Sequence, residues 1–299
     1  MKVLITGATG FVGSFLSEHL LNEGHQVIAI GRGPRHSLVQ NDFFSYISAD
    51  PTKPGSWQDQ IPSADAIINL AGKNIFHYWT ESSKQAMVAS RIETTKNLVA
   101  AISDSQTPIL VSASAIGYYG DRGEEHLTET SGSGDDYLAN LSLDWEKEAQ
   151  RAEGKGARVA LLRFSIVLGR QGGALAKMLP AFRFFAGGPL GSGRQWFSWI
   201  HINDLVSIVE LILKNREMAG PFNICAPQPV RNRDYAAALG KALGRPSFLR
   251  VPSFAIKTLM GELGGVMLGS QRCFPEKLQA FNFKFQFPDI ETALADLVF

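Results

Sequence analysis

The segment from Met1 to Arg32 restricts the fold more than any other part of this chain. Lys2-Val3-Leu4-Ile5 is a short aliphatic run that passes directly into Thr6-Gly7-Ala8-Thr9-Gly10-Phe11-Val12-Gly13. Beyond the glycines, Val12, Phe15, Leu16 and Leu20 recur at helical spacing, Gly24 stands where a helix would stop, and Val27-Ile28-Ala29-Ile30 reads as a second strand. The unit is strand, glycine turn, helix, strand. In such a turn Gly7 permits a tight reversal, Gly10 lets backbone amides approach a bound group, and Gly13 lets the helix pack close to the strand. Those amides, with the partial positive charge at the helix start, make a seat for pyrophosphate. Dinucleotide binding is the first functional expectation, with Gly7, Thr9, Gly10, Phe11, Val12 and Gly13 as candidate contacts.

The residues after the second strand refine the ligand. An NAD-preferring site usually offers a carboxylate there to the adenosine ribose, whereas this chain reads Gly31-Arg32-Gly33-Pro34-Arg35. Gly31 would leave room for a 2′-phosphate, and Arg32 could bind it in a fork, with Arg35 as a second partner. The expected cofactor is NADP(H) rather than NAD. The competing reading, ordinary solvated loop charge, suits Arg35 better than Arg32.

With 299 residues, 45% of them hydrophobic, the chain can bury a large α/β core with a smaller appendage. A formal net charge of +1 without basic blocks argues against nucleic acid or an anionic membrane as main partner. No run approaches the roughly 20 apolar residues of a membrane span, and the first residues form a strand rather than a signal peptide. Cys225 and Cys273 lack metal-ligand spacing and read as reduced thiols of a cytoplasmic protein. The scattered histidines suggest no metal site.

Apolar runs alternate with helical patterns through the first half of the chain. That is the signature of α/β architecture, a Rossmann-type doubly wound parallel sheet covered on both faces. Strands are expected at Phe44–Ser48, ending near Asp50, whose carboxylate could accept from adenine, and at Ala66–Gly72, where Leu70, Ala71 and Gly72 would pass close to the cofactor. Others are expected at Ile109–Ser112, at Val159–Arg163 leading on to Val167 and Gly169, and at Phe222–Cys225, with helices over 82–103, 137–152 and 204–214. A glycine- and aromatic-rich insertion at about 170–200 interrupts the dinucleotide-binding domain, 1–225. Residues 226–299 would form a small mixed C-terminal lobe that closes a cleft over the strand ends.

Several stretches resemble a known family. Thr6 to Gly13 looks like the fingerprint of extended short-chain dehydrogenases/reductases, and Trp199-Ile200-His201-Ile202-Asn203-Asp204-Leu205 resembles their sugar-nucleotide epimerase branch. Asn69-Leu70-Ala71-Gly72, Ser114-Ala115-Ile116-Gly117-Tyr118-Tyr119-Gly120, Gly191-Ser192-Gly193-Arg194-Gln195 and the tail from Leu249-Arg250-Val251-Pro252 resemble the atypical "epimerase family protein" group, which has its own C-terminal domain. That group is similar to NADP(H)-binding proteins whose reaction is largely unassigned. The resemblance implies a substrate-holding Ser at Ser114 and a proton-transferring Tyr at Tyr137, with Tyr118 and Tyr119 as further candidates. Where a reductase has Lys four residues after its Tyr, this chain has Leu141. Lys would lower the Tyr pKa; an unassisted phenol, with a pKa of about 10, is a poor base at neutral pH. Packing of Tyr137 on the neighbouring loop is an equal alternative. The resemblance also assigns Arg91 to the cofactor.

Arg194, Trp196 and His201 near the expected cleft would suit an anionic or sugar-like substrate, although aromatic stripes are more often core and a histidine set as Ile200-His201-Ile202 is more often structural than an acid or base. Lys177 is a weaker stand-in for the missing lysine. Three readings follow. One is an NADP(H)-dependent oxidoreductase or epimerase transferring hydride at a carbonyl or alcohol carbon of a small molecule, with pairing into a homodimer, as related reductases often do, left open. The second is a catalytically degenerate NADP(H) sensor, and the third an interaction protein on an unused scaffold.

Overall fold

The computed structural model describes residues 1–33, 42–103 and 107–298. In chain order the elements are β1 (Lys2–Thr6), α1 (Phe11–Asn22), β2 (Gln26–Gly31), β3 (Phe44–Ser48), β4 (Ala66–Asn69), α2 (Glu81–Ala101), β5 (Ile109–Ala115), β6 (His126–Leu127), α3 (Tyr137–Gln150), β7 (Arg158–Phe164), β8 (Ile166–Gly169) and α4 (Gly173–Arg183). There follow β9 (Trp196–Phe197), β10 (Trp199–His201), α5 (Ile202–Lys214), β11 (Gly220–Ile224), β12 (Val230–Arg231), α6 (Asn232–Leu243), α7 (Ser253–Met260), α8 (Glu262–Leu268), β13 (Arg272–Cys273), α9 (Glu276–Ala280) and α10 (Ile290–Val298). None of the described helices is long and apolar enough to cross a membrane.

The 7-stranded sheet runs in the order β11-β7-β5-β4-β1-β2-β3, parallel throughout. This is the doubly wound Rossmann-type arrangement, with the chain reversing direction across the sheet between β1 and β4. Alternation explains why its strands read as unbroken apolar runs. Val3 and Ile5 join the core beneath α1 and α5, while Leu4 between them joins the opposite layer with Leu98, Val99 and Ala149 of α2 and α3. Ala66 and Ile68 against Ile67, and Ala160 and Leu162 against Val159 and Leu161, divide in the same way. Both faces of the central strands are therefore dry, while the edge strand β3 is partly exposed.

The fourth strand is shorter than expected: β4 stops at Asn69, so Leu70 to Gly72 is loop. The run after β7 also leaves the main sheet. At Ser165 the backbone N–H and the hydroxyl both reach Ile224 O, and β8 then pairs with β10, Val167 opposite Ile200. The insertion and the C-terminal residues share one core, in which Leu168, Leu175, Phe182 and Trp199 pack with Tyr235, Leu239, Ile290 and Leu294. Buried Asp204 joins them further, accepting the backbone N–H groups of Gln286 at 2.7 Å and Phe287 at 3.0 Å.

Candidate cofactor and substrate site

The glycine turn meets its geometric demands. Gly7 has φ +74°, and a Cβ there would stand 2.8 Å from the Leu70 carbonyl carbon; at Gly13 it would stand 2.2 Å from Gly7 O. Gly10 donates to Gly7 O at 2.9 Å, and Ser14 N is bonded to Gly10 O at 2.8 Å. No side chain caps α1, so the first-turn amides of Phe11, Val12 and Gly13 keep the free donors of a helix start. The Phe11 side chain has another task. A Cβ at Gly169, Gly172 or Gly173 would come within 2.6, 2.3 or 2.8 Å of its atoms, so these glycines form a slot that clamps the turn after β8 onto the cofactor loop. A Cβ at Gly173 would also meet Val167 O at 2.6 Å, which places Val167 beside this clamp. Val12 packs against the core.

At the end of β2 the expectation for Gly31 needs correcting. The space beside its Cα is filled by the Tyr46 hydroxyl, 2.8 Å from where a Cβ would lie, with Thr9 Oγ1 at 3.3 Å. Tyr46, one strand over, donates to Gly33 O at 2.6 Å, so this glycine accommodates a phenol rather than a phosphate. Arg32 is exposed, and its guanidinium has no hydrogen bond or ion pair among the described residues. Arg35 lies outside them. Asp50 Oδ1 is held by Thr52 N at 3.1 Å and Thr52 Oγ1 at 2.8 Å, a local turn that fixes the carboxylate at the sheet edge.

Arg91 comes from the middle of α2 and lies against Gly72, where a Cβ would stand 3.2 Å from the guanidinium carbon. Its Nη1 donates to Lys73 O and Met87 O, both at 3.2 Å, and the guanidinium sits 5.2 Å from the Trp145 ring centre. Burial pulls its pKa down to about 10. No carboxylate among the described residues pairs with it, so Arg91 is a desolvated cation without a counter-ion. Beneath it runs a buried network that the sequence did not disclose. Thr6 Oγ1 donates to Asn69 Oδ1 at 2.7 Å, Asn69 Nδ2 to Thr95 Oγ1 at 2.8 Å, and Trp145 Nε1 to the same Thr95 oxygen at 2.9 Å. It ties β1, β4, α2 and α3 together at the strand ends.

The residues expected to move a proton are otherwise engaged. Ser114 is buried and donates its hydroxyl to Glu146 at 2.7 Å. Glu146 is gripped by Arg163 through Nε and Nη2, each at 2.8 Å, and Arg163 Nη1 reaches Tyr119 Oη at 2.9 Å. The guanidinium lies 3.6 Å from the Tyr118 ring centre, so Tyr118 stacks on this cation. Burial alone would lower the Arg163 pKa, but hydrogen bonding to Glu146 reverses the effect and the net direction is upward. In this arrangement Ser114 can accept a hydrogen bond but has no proton left to offer a substrate oxygen.

Tyr137 donates to Lys84 O at 3.1 Å and packs on Trp79, with ring centroids 5.4 Å apart. Burial raises its pKa despite the Lys84 ammonium 5.2 Å from the ring, the opposite of what a proton-transferring phenol needs. Leu141, where a reductase has Lys, is buried with Trp79, Met87 and Leu263.

Of the residues expected to meet substrate, Arg194 is exposed, while the Trp196 ring lies near the guanidinium groups of Arg231, 3.9 Å away, and Arg272, 4.5 Å away. Trp196 Nε1 donates to Glu124, which Arg231 clamps through both carboxylate oxygens at 2.7 and 2.8 Å. The Arg231 and Trp196 hydrogen bonds hold Glu124 down at about 2. Lys177 reaches Phe76 O at the surface.

His201 is not a cleft residue. It is 1% exposed, its Nδ1 accepts Asn203 N–H at 3.1 Å to cap α5, and its ring stacks on Phe287. Burial lowers its pKa from 6.5 to about 4, outweighing the attraction of Asp296. The unfolded chain then binds the proton more readily, so stability is complete above about 6.5 and falls as the pH drops towards 4. A loss of up to about 3 kcal/mol over that window is expected in urea unfolding. His201→Asn, which keeps a cap acceptor, should flatten that slope; an unchanged slope would rule out His201 as its source.

His19, Glu23 and Glu210 bring ligand atoms within 4.8 Å of one another. The Lys214 ammonium is paired with both carboxylates, which makes this an ion-pair knot between α1 and α5.

Residues 3–225 match the NAD dependent epimerase/dehydratase family, and residues 251–297 match a domain of unknown function, DUF1731. The chain is 40% identical over 301 residues to the chloroplastic epimerase family protein SDR39U1 homolog of Arabidopsis thaliana, covering 98% of this chain and 86% of that one. It is 36% identical to the epimerase family protein YfhF of Bacillus subtilis, with 100% and 98% covered. Among solved structures, human epimerase family protein SDR39U1 (isoform 2), crystallised with NADPH, superposes with a TM-score of 0.88 at 34% identity, over 99% of each chain. UDP-glucuronic acid 4-epimerase from Bacillus cereus, in complex with NAD, superposes at 0.80 with 18% identity over 99% and 95%, a likeness of fold.

Proposed function

Since the chain belongs to the NAD-dependent epimerase/dehydratase family, we propose that it binds NADP(H) across the ends of β1, β2 and β4 and serves hydride transfer at a carbonyl or alcohol carbon of a small molecule. The observation that carries the cofactor reading is the donor set. Uncapped amides open α1 beside a turn where a Cβ at Gly7 or Gly13 would strike backbone, the Arg32 guanidinium is unengaged among the described residues, and half-buried Arg91 meets no carboxylate among them. Each suits a polyanion. The crystallisation of the human relative with NADPH supports the phosphorylated form.

When bound, the nicotinamide supplies the hydride chemistry. The chain's own residues would position it: the α1 amides hold the pyrophosphate, Arg32 the 2′-phosphate, and Arg91 a ribose or phosphate oxygen beside Gly72. Arg32→Ala is expected to weaken NADPH binding roughly tenfold and leave NADH binding nearly unchanged in calorimetric titration. Equal losses for both coenzymes would reject Arg32 as the selector.

Specific geometry also favours the second reading, an NADP(H) sensor without turnover. Tyr137 is locked to Lys84 O, Leu141 is buried in the apolar cluster, and the Ser114 proton is given to Glu146. A panel of carbonyl compounds and sugar nucleotides, followed by nicotinamide absorbance, separates the two. Turnover that survives Tyr137→Phe would place the proton donor elsewhere. Binding without turnover on any member, with partner affinity that differs between NADPH and NADP⁺, would establish the sensor.

A further inference from the structure

The surface of the insertion and the C-terminal lobe carries large apolar side chains in the open. Phe184 is 82% exposed, Phe248 76%, Phe254 74% and Leu259 77%, with Phe185 and Leu249 about half exposed. They lie on adjoining segments. Leu249 N donates to Gly187 O, Val251 N to Pro189 O and Gly191 N to Val251 O, so the end of α4 and the approach to α7 run side by side. Close approach is built in, since a Cβ at Gly188 would stand 2.2 Å from Leu249 O.

The backbone also presents one of these rings at a cost. Phe185 has φ +62°, just beyond α4, where Phe185 N bonds Phe182 O and Ala186 N bonds Ala181 O. This is the left-handed helix-ending position that glycine fills freely and a bulky side chain fills at roughly 1–2 kcal/mol. The ring stays about half exposed there, with the exposed Arg245 4.7 Å from its centre.

The charged side chains within the two segments that carry the patch are all basic. The sequence contains no Asp or Glu from residue 154 to 203 or from 235 to 261. Arg183, Lys241, Arg245, Arg250 and Lys257 are all exposed within these runs. The acids at the ends of the second run face cations, Asp234 with Arg233 at 3.5 Å and Glu262 at 2.7 Å with Lys84, which also meets Glu81. A near-neutral chain thus places exposed phenylalanines and basic side chains on the same segments.

We propose that this surface seats the protein on a bilayer containing anionic lipids, with Phe184, Phe185, Phe248 and Phe254 entering the headgroup and acyl boundary and the surrounding Arg and Lys side chains meeting lipid phosphates. Exposed aromatics ringed by cations are the pattern of in-plane membrane attachment, in which apolar burial and electrostatic attraction act together. A second copy of this chain would bring the same basic side chains face to face, which disfavours self-association through the patch.

The test uses the purified full chain and sedimentation with vesicles of phosphatidylcholine, alone or mixed with phosphatidylglycerol. Binding is expected to the mixed vesicles, to fall at least tenfold without the anionic lipid, and to weaken with added salt. The triple variant Phe184→Ser, Phe248→Ser, Phe254→Ser and, separately, the pair Arg183→Glu, Lys257→Glu should each lower partitioning about tenfold or more while NADPH titration is unchanged, which certifies the fold. Absence of binding to mixed vesicles, equal binding to neutral ones, or retention by both variants would overturn the proposal. So would a dimer in light scattering that the serine variants dissociate.

Discussion

Glu146→Ala is expected to lower the unfolding free energy by about 3–5 kcal/mol, because it strands a buried guanidinium. The Arg163 and Glu146 side chains are 4% and 6% exposed and meet in a two-pronged pair. Without the carboxylate, Arg163 keeps only Tyr119 Oη and Glu129 O as acceptors, and Ser114 loses the partner for its hydroxyl. Removing the cation as well, in Glu146→Ala with Arg163→Met, should recover much of the loss, since a buried pair replaced by apolar groups is often nearly neutral. Urea unfolding of the two variants provides the comparison. A single-variant loss below about 1 kcal/mol would mean that water reaches Arg163 readily, and the pair would then be no buried clamp.

The second large effect concerns affinity. Arg91→Met is expected to reduce NADP(H) affinity roughly 10- to 100-fold and to leave the apo fold equally or more stable. Burial and the missing counter-ion make the guanidinium unfavourable until an anion arrives, so its removal relieves the free protein and penalises the complex. Calorimetry with NADPH, combined with thermal unfolding of the apo form, separates these contributions. Unchanged affinity with a destabilised fold would assign Arg91 to packing on Trp145 and the Met87 and Lys73 carbonyls.

A net charge of +1, the lack of basic blocks and the lack of a spanning apolar run describe the chain as a whole and do not say how side chains group on its surface. Two acid-free runs are visible in the sequence, but it takes the pairing around Gly187 to Val251 to place them together. The same limit applied at Gly31, where the occupant of the space, Tyr46, comes from the next strand, and at His201, whose structural role became definite only with Asn203 N–H on its Nδ1 and Phe287 stacked on its ring. The missing lysine was legible at once as Leu141. That Leu141 has a core of its own with Trp79, Met87 and Leu263 was not.

What the sequence determined by itself is the parallel sheet and the nucleotide turn. Strand runs with both faces apolar and glycines demanded by local backbone geometry are conditions satisfied within a dozen neighbouring residues. Tertiary structure alone decided what the polar side chains do. Ser114 meets Glu146 across 32 residues of chain and Tyr119 meets Asn223 across 104, and a hydroxyl or guanidinium is committed by whichever partner the fold brings within about 3 Å of it.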